Sequence, residues 1–315
     1  MGWDEYVKIV RMNQRIVFMG SPEFARVALA RLSEIYPVIG VVTQPDRPAG
    51  RGKILTPPPV KALAETLGCE IIQPQKLREP ENFEILKKWN PDLIIVAAYG
   101  QILRQNVLDI PRMGCINVHG SLLPRWRGAA PIQTAILAGD SVTGITIMKM
   151  DGGVDTGAML ASRQVDILES DDAVTLGQHM AETGAALLLE TLPSILDGSV
   201  QAVPQPESGV TYAAMLKKED GLLDFNHAAV ELARCIRAFT PWPGTTFLWE
   251  NQPLKVIKAR AVITEKNAVG EKLILEGFPA VGCSDGALLL EEVQPAGKKA
   301  MSGKVFLNGA RSWGK

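Results

Sequence analysis

The sequence lacks the features that announce a metal centre, a disulfide framework or a membrane. Its four cysteines, Cys69, Cys115, Cys235 and Cys283, lie far apart with no C-x-x-C pair. Neither a disulfide scaffold nor a zinc site with local ligand spacing is expected, and no metal is called for. Free thiols suit a reducing compartment, so a cytoplasmic protein is the expectation. No apolar run approaches the roughly 18–20 residues of a membrane span, and the longest, LIIVAAYG at 93–100, is strand-sized. The opening MGWDEYVKIVRMNQ, residues 1–14, carries acids and no apolar h-region, so it reads as an extension before the first strand rather than a secretory signal. An excess of one charge is missing too: 33 basic residues face 34 acidic ones, which argues against wholesale electrostatic binding of nucleic acid. Nucleotide fingerprints are absent. FMGSPEF is not G-x-G-x-x-G, and the nearest approach to a phosphate loop, AGRGK at 49–53, sits in a proline-rich stretch rather than between strand and helix.

What is present is a folded chain of 315 residues with 46% hydrophobic and 21% charged side chains, enough for two domains or one large one. Its first two hundred residues alternate apolar strands with amphipathic helices. RIVFMG at 15–20 is followed by a helix from Glu23, which Ser21 can cap and Pro22 can begin. PVIGVVT, EIIQP, DLIIVAAYG, GCINVHGS and TGITIMKM read as further strands, with helices ending at Gly68 and spanning ENFEILKKW between them. Such alternation predicts a doubly wound, Rossmann-like α/β domain with a parallel sheet over residues 15–197, whose ligands lie beyond the carboxyl ends of its strands. A long helical pattern from Asp171 to Asp197 is interrupted at Pro193, and 198–209 has the composition of a linker. After a helix at 226–239, short strand patterns (GTTFLWE, LKVIKARAV, KLILEGFPAVGC, ALLLEEVQ) predict a small β-barrel domain over 210–315. The near-zero net charge hides an asymmetry: residues 1–209 carry 19 basic and 23 acidic side chains, residues 210–315 carry 14 and 11.

The densest unusual stretch is CINVHGSLLPRWRGAAPIQTAI at 115–136. Asn117 and His119 are two apart on a strand pattern, so both side chains project from one face near its end. A packed histidine and an asparagine satisfying turn backbone are the bland alternatives. Only three histidines occur in the chain, and the other two, His179 and His227, fall on helical patterns. A second polar cluster, MDGGVDTGAML at 150–160, places Asp155 in a glycine-rich turn. There a carboxylate either caps its own backbone or, if the two strands are neighbours, orients His119. The loop QPDRPAGRGKILTPPPVK at 44–61 holds Arg47, Arg51, Lys53 and Lys61 against the single acid Asp46. It is a solvated, proline-stiffened connection or a cationic contact surface.

These residues carry a resemblance. SLLPRWRGAAPI, with IVFMGSPEFA before it and QPAGKKAM near the end, is similar to the methionyl-tRNA formyltransferases over nearly the whole chain, Arg15 to about Lys304. Asn-x-His, S-L-L-P and a later Asp belong to the wider superfamily that moves formyl groups from folates. The resemblance implies a formyl donor, 10-formyltetrahydrofolate, bound at Ser121, Leu122, Leu123 and Pro124. It implies Asn117, His119 and Asp155 as catalytic residues and methionine-charged initiator tRNA as acceptor. It further implies that the loop bearing Arg47, Arg51 and Lys53 engages the acceptor end, and that a C-terminal barrel related to oligonucleotide-binding folds offers a positive face. Lys298 and Lys299, or Arg234 and Arg237, are candidates on that face, with ordinary solvated surface as the alternative. Trp126 is either exposed between Arg125 and Arg127 or wedges its loop against the core. Ala158 departs from the family pattern, which usually has Asp or Pro there. Nothing in the sequence demands an oligomer, and a monomer is expected. The rival expectations are a folate-dependent enzyme acting on a small amine, such as a nucleotide precursor or amino sugar, and a non-catalytic tRNA-binding protein.

Overall fold

A computed structural model describes residues 14–49, 52, 54–264 and 267–314. Residues 1–13 of the extension expected over 1–14, together with Arg51 and Lys53, lie outside the described residues. The chain forms two compact units, one running to Pro131 and including Thr143–Asp166 and Gly177–Ala213, the other comprising Ile132–Val142, Ile167–Leu176 and Ala214 onward.

The elements follow in the order β1 (Ile16–Gly20), α1 (Glu23–Ser33), β2 (Val38–Val42), β3 (Arg47–Ala49), β4 (Ile54–Thr56), α2 (Pro59–Thr66), β5 (Glu70–Ile72), α3 (Pro80–Trp89), β6 (Leu93–Ala97), α4 (Gln105–Leu108), β7 (Cys115–His119), β8 (Arg127–Gly128), α5 (Pro131–Ala138), β9 (Val142–Lys149), β10 (Met159–Asp166), α6 (Ala173–Leu196) and β11 (Tyr212–Ala213). The main sheet has the order β10-β9-β7-β6-β1-β2-β5. Strands β5, β2, β1, β6 and β7 are parallel, as their unbroken apolar runs predict: every residue of β1, β6 and β7 is buried. One face packs Val17, Met19, Ile94 and Val96 against Leu86 and Trp89 of α3, and elsewhere Phe24 and Val27 of α1 meet Ala181 and Ala185 of α6.

Several expectations are corrected. The sheet is mixed, because β9 runs antiparallel to β7, with His119 opposite Thr146 and Asn117 opposite Met148. A strand apolar on both faces looks the same in either direction, so TGITIMKM gave no sign of its orientation. Strand β10, absent from the sequence reading, returns beside β9, its hairpin closed by bonds from Lys149 N to Ala158 O (2.9 Å) and from Ile167 N to Ser141 O (2.9 Å). Ser21 does not cap α1. Pro22 takes the cap position without a side-chain bond, while the Ser21 hydroxyl accepts from Gln44 N at 3.0 Å and ties β1 to the segment after β2. Helix α6 runs through Pro193 unbroken; the ring removes the one bond that an N–H at this position would give to the carbonyl of Leu189, and only the last turn follows it. The basic loop is a short antiparallel hairpin, β3–β4, with Arg47 opposite Thr56.

The second unit continues with α7 (Ala229–Ala238), β12 (Thr245–Trp249), β13 (Gln252–Val262), β14 (Lys272–Leu275), β15 (Phe278–Gly282), β16 (Ala287–Pro295), β17 (Met301–Ser302) and α8 (Gly303–Gly309). KLILEGFPAVGC is therefore two strands, turned at Glu276 and Gly277, both with positive φ. The sheet runs β12-β13-β16-β15-β14, with β17 pairing β16, and its pairs are antiparallel. Phe225, Phe247, Trp249, Phe306 and Trp313 pack edge to face or tilted on the core, with centroids 5.1–6.4 Å apart.

Candidate active site

The site grows from the end of β7. Val96 pairs with Asn117 and Ile94 with Cys115, so Cys115, Asn117 and His119 share the face that carries the α3 core. That face is dry at its inner end, where burial and then Asp109 push the Cys115 thiol up to about 12, leaving it no nucleophile. Asn117 and His119 are 9% and 5% exposed. Buried polar groups need partners, and here a single carboxylate gathers them. Asp155 Oδ1 accepts from Asn117 Nδ2 at 3.3 Å and lies 3.6 Å from His119 Nδ1; Oδ2 accepts from Gly128 N at 2.9 Å. The other ring nitrogen, His119 Nε2, is 3.0 Å from Trp126 O. A carbonyl only accepts, so that nitrogen carries a proton, and a second ring proton on Nδ1 would meet the carboxylate.

Two backbone features make the gathering sterically feasible. Asp155 has φ +53°, a left-handed conformation that Asp tolerates better than most residues. Gly157 follows it, where a Cβ would stand 1.8 Å from Lys149 O. The S-L-L-P loop is held from below: Thr146, buried on β9, donates to Ser121 O at 2.7 Å and accepts from Leu123 N at 3.1 Å. Ser121 is fully buried, its hydroxyl bonded to Arg125 O at 2.5 Å. Leu123 is buried as well, while Leu122 and Pro124 are part-exposed. Trp126 is part-exposed with φ +59° and lies under the Arg125 guanidinium, 4.1 Å from ring centre to Cζ. Its contribution to the cluster is its carbonyl.

The segment 198–209 brings residues that sequence reasoning did not single out. Gln205 Nε2 donates to Asp155 O and Gly157 O, both at 2.8 Å, and its Oε1 accepts from Arg127 Nε and Nη2 at 3.0 and 2.7 Å. Thr211 Oγ1 accepts from Trp126 N at 2.9 Å, and β11 pairs with β8. Thr146 had a signal, a hydroxyl at an inward position of an apolar strand. Gln205 had none.

The cationic candidates belong to other elements of the chain. Arg47 is exposed on β3, with Nη2 3.4 Å from Gln44 Oε1. Lys61 is no free cation: it pairs with Asp46 at 2.7 Å, and Gln73 bonds the same carboxylate at 2.7 Å. Lys298 and Lys299 are exposed between β16 and β17. Arg237 is half-buried and donates to Asp171 O at 2.7 Å, which makes it a packing residue of α7 rather than open surface. Among the described residues no group of three or more His, Cys, Asp or Glu could hold a metal, and no helix is long and apolar enough to cross a membrane.

A strand-end amide and imidazole sharing one turn carboxylate is an arrangement suited to acyl-group transfer. It presents an N–H donor for a developing oxyanion and a ring able to carry a proton. The comparisons with known proteins narrow that class. The family model described as formyl transferase matches residues 14–192, and that of the formyl transferase C-terminal domain matches residues 215–311. The chain belongs to the formyl transferase family. Similar solved structures include HypX from Aquifex aeolicus in complex with tetrahydrofolic acid (17% identity, TM-score 0.62, 94% of this chain and 47% of that one). The chain thus spans about half the length of HypX. WlaRD, a sugar 3N-formyl transferase, is 18% identical with TM-score 0.65, over 91% of this chain and 99% of that one. An N-formyltransferase from Helicobacter canadensis, in complex with folinic acid and dTDP-3-aminofucose, is 16% identical with TM-score 0.65, over 90% and 99%.

Proposed function

We propose that this chain transfers the formyl group of 10-formyltetrahydrofolate to the α-amino group of methionine on initiator tRNA. The observation that carries the chemistry is the convergence of Asn117 and His119 on Asp155. A formyl transfer needs an uncharged amine, and an α-amino group with an ordinary pKa near 8 requires little activation. Attack on the formyl carbon builds negative charge on its oxygen. Asn117 has two N–H groups and gives one to Asp155; the other is the donor for that oxygen, an effect of about 3 kcal/mol. His119 exchanges the Trp126 carbonyl for the substrate, giving its Nε2 proton to the departing folate nitrogen and taking the amine proton in its place, while Asp155 faces Nδ1 and supports the charged ring. Leu122 and Pro124, the part-exposed members of the S-L-L-P loop, contact the folate; Ser121 and Leu123 shape the loop from within.

The tRNA assignment rests on the motif resemblance and on the exposed β3–β4 hairpin with Arg47. Arg51 and Lys53 complete its cationic set, with Lys298 and Lys299 as a second contact. A sugar-linked amine is the second reading, favoured by the sugar N-formyltransferases whose fold the chain shares over almost their full length. The test offers 10-formyltetrahydrofolate with methionine-charged initiator tRNA, methionine-charged elongator tRNA, free methionine and a dTDP-linked aminosugar. Transfer to the initiator alone supports the first reading; transfer to the sugar alone replaces it.

A further inference from the structure

Gln205 lies between the two family matches, which end at residue 192 and resume at residue 215. Its side chain nonetheless reaches the main chain of the turn that bears Asp155. The amide is saturated: two N–H groups go to the carbonyls of Asp155 and Gly157, and the oxygen takes two bonds from the Arg127 guanidinium. Its orientation is forced. A flipped amide would set oxygen against two carbonyls and N–H groups against a cation, losing all four bonds. A group so committed has no donor left for a substrate.

The turn it grips has a reason to need holding. Asp155 sits at φ +53°, a left-handed conformation that L residues seldom adopt, and its carboxylate faces three different groups at once. Rotation of the Asp155–Thr156 peptide would swing the Cα–Cβ bond away from β7. Of the two carbonyls pinned by Gln205, that of Asp155 belongs to this peptide and that of Gly157 to the Gly157–Ala158 peptide, so the amide fixes the turn on both sides of Thr156. Arg127 belongs to the same chain segment as Gly128, whose N–H holds Asp155 Oδ2. One bracket, Arg127–Gln205, therefore ties the carboxylate's backbone to the strand that also binds its side chain.

We infer that Gln205, braced by Arg127, is a positioning residue for formyl transfer: it fixes the Asp155 turn so that the carboxylate meets His119 and Asn117. This rests on the reading of that trio as catalytic. The bonds involved are charge-assisted on one side and neutral on the other, and removing Gln205 leaves the fold's cores untouched because the residue is only part-buried.

The test uses the full chain with Gln205→Ala, Gln205→Glu, Arg127→Ala, the Gln205→Ala/Arg127→Ala pair, and His119→Ala as reference. Gln205→Ala should lower kcat about 10- to 100-fold, as a misplaced catalytic group does, with KM for the folate donor changed by less than about twofold. Gln205→Glu, which keeps the acceptor for Arg127 but turns a carboxylate on two carbonyls, should lose at least as much. The pair should be no worse than Gln205→Ala alone, since the bracket acts as one unit. With only three histidines in the chain, the 15N resonances of the His119 ring can be assigned, and they should shift in Gln205→Ala. Loss of kcat in His119→Ala with none in Gln205→Ala overturns the positioning role alone; full activity in both overturns the catalytic trio and the positioning role with it. A His119 spectrum unmoved by Gln205→Ala overturns the inference whatever the rates.

Discussion

The Asp155 turn and the β3–β4 hairpin are both short, polar, glycine- or proline-bearing interruptions of the α/β pattern, and they are built in opposite ways. In the turn almost every polar group has a partner inside the first unit: the Asp155 carboxylate binds Asn117 and Gly128, its carbonyl binds Gln205, and Gln205 in turn holds Arg127. The described residues of the hairpin are anchored at its base, by Asp46 with Lys61 and Gln73 and by a long bond from Arg47 to Gln44. Beyond that point Arg47 is exposed, as are Ile54 (72%) and Leu55 (63%). A saturated network suits chemistry that needs fixed distances; an exposed edge with cations and apolar tips suits contact with something large. The two regions divide the proposed reaction between them, one supplying the transition-state contacts and the other the choice of acceptor.

The sharpest break in that comparison is at His119. His119→Ala should lower kcat by about 10²- to 10⁴-fold and Asn117→Ala by about 10²- to 10³-fold in formyl transfer, with circular dichroism unchanged. Equal effects from Arg47→Ala on a small amine acceptor would erase the distinction between the regions. The next effect is on stability. A methyl at Gly157 would stand 1.8 Å from the backbone oxygen of Lys149 on β9, so main chain would have to shift to admit it. Gly157→Ala should cost about 3 kcal/mol, read from the urea midpoint, whereas Gly52→Ala, at an exposed hairpin position, should be nearly neutral.

The same contrast explains what could be read from the sequence. Strands β1, β6 and β7 were legible because each is a short, uninterrupted apolar run, and Asn117 and His119 were legible as polar exceptions at the end of one. Asp155 was legible as a turn carboxylate and, on the condition that the two strands are neighbours, as the partner of His119; they are neighbours, but the antiparallel direction of β9 was not legible, because a strand apolar on both faces carries no arrow. Gln205 was invisible: in QAVPQPESG nothing marks one glutamine as bound to a turn fifty residues earlier. Ser21 shows the converse error, a good capping residue in the right place whose hydroxyl is claimed instead by a tertiary bond to Gln44. In the second unit, apolar patterning located the strands, but the turn at Glu276–Gly277 was hidden inside a run that reads as one strand.

For the hairpin, the proposed contact is electrostatic and should be measured through salt. Arg47→Ala should weaken binding of methionine-charged initiator tRNA and lower the slope of log K against log salt by about 1, the signature of one phosphate no longer neutralised. Turnover on a small amine should not change. An unaltered slope would make the hairpin ordinary solvated surface.

The smallest effect sharpens the comparison from the hairpin's anchored end. Hydrogen bonds from Gln73 and then Lys61 hold the Asp46 carboxyl below its ordinary value. A carboxyl depressed on folding contributes stability that is present above the unfolded value, near pH 4, and lost as pH falls through the folded one. Hydrogen exchange at the base of the hairpin should therefore be steady from about pH 8 to pH 5, once corrected for its intrinsic pH dependence, and rise below about pH 4. Asp46→Asn, which cannot ionise, should show no such step. Because the pair is partly solvated, global unfolding should barely register the change. A step confined to the hairpin would mean that its base is a local latch, independent of the network that fixes Asp155. A step shared by the Asp155 turn would mean that the two regions are coupled through the sheet between them.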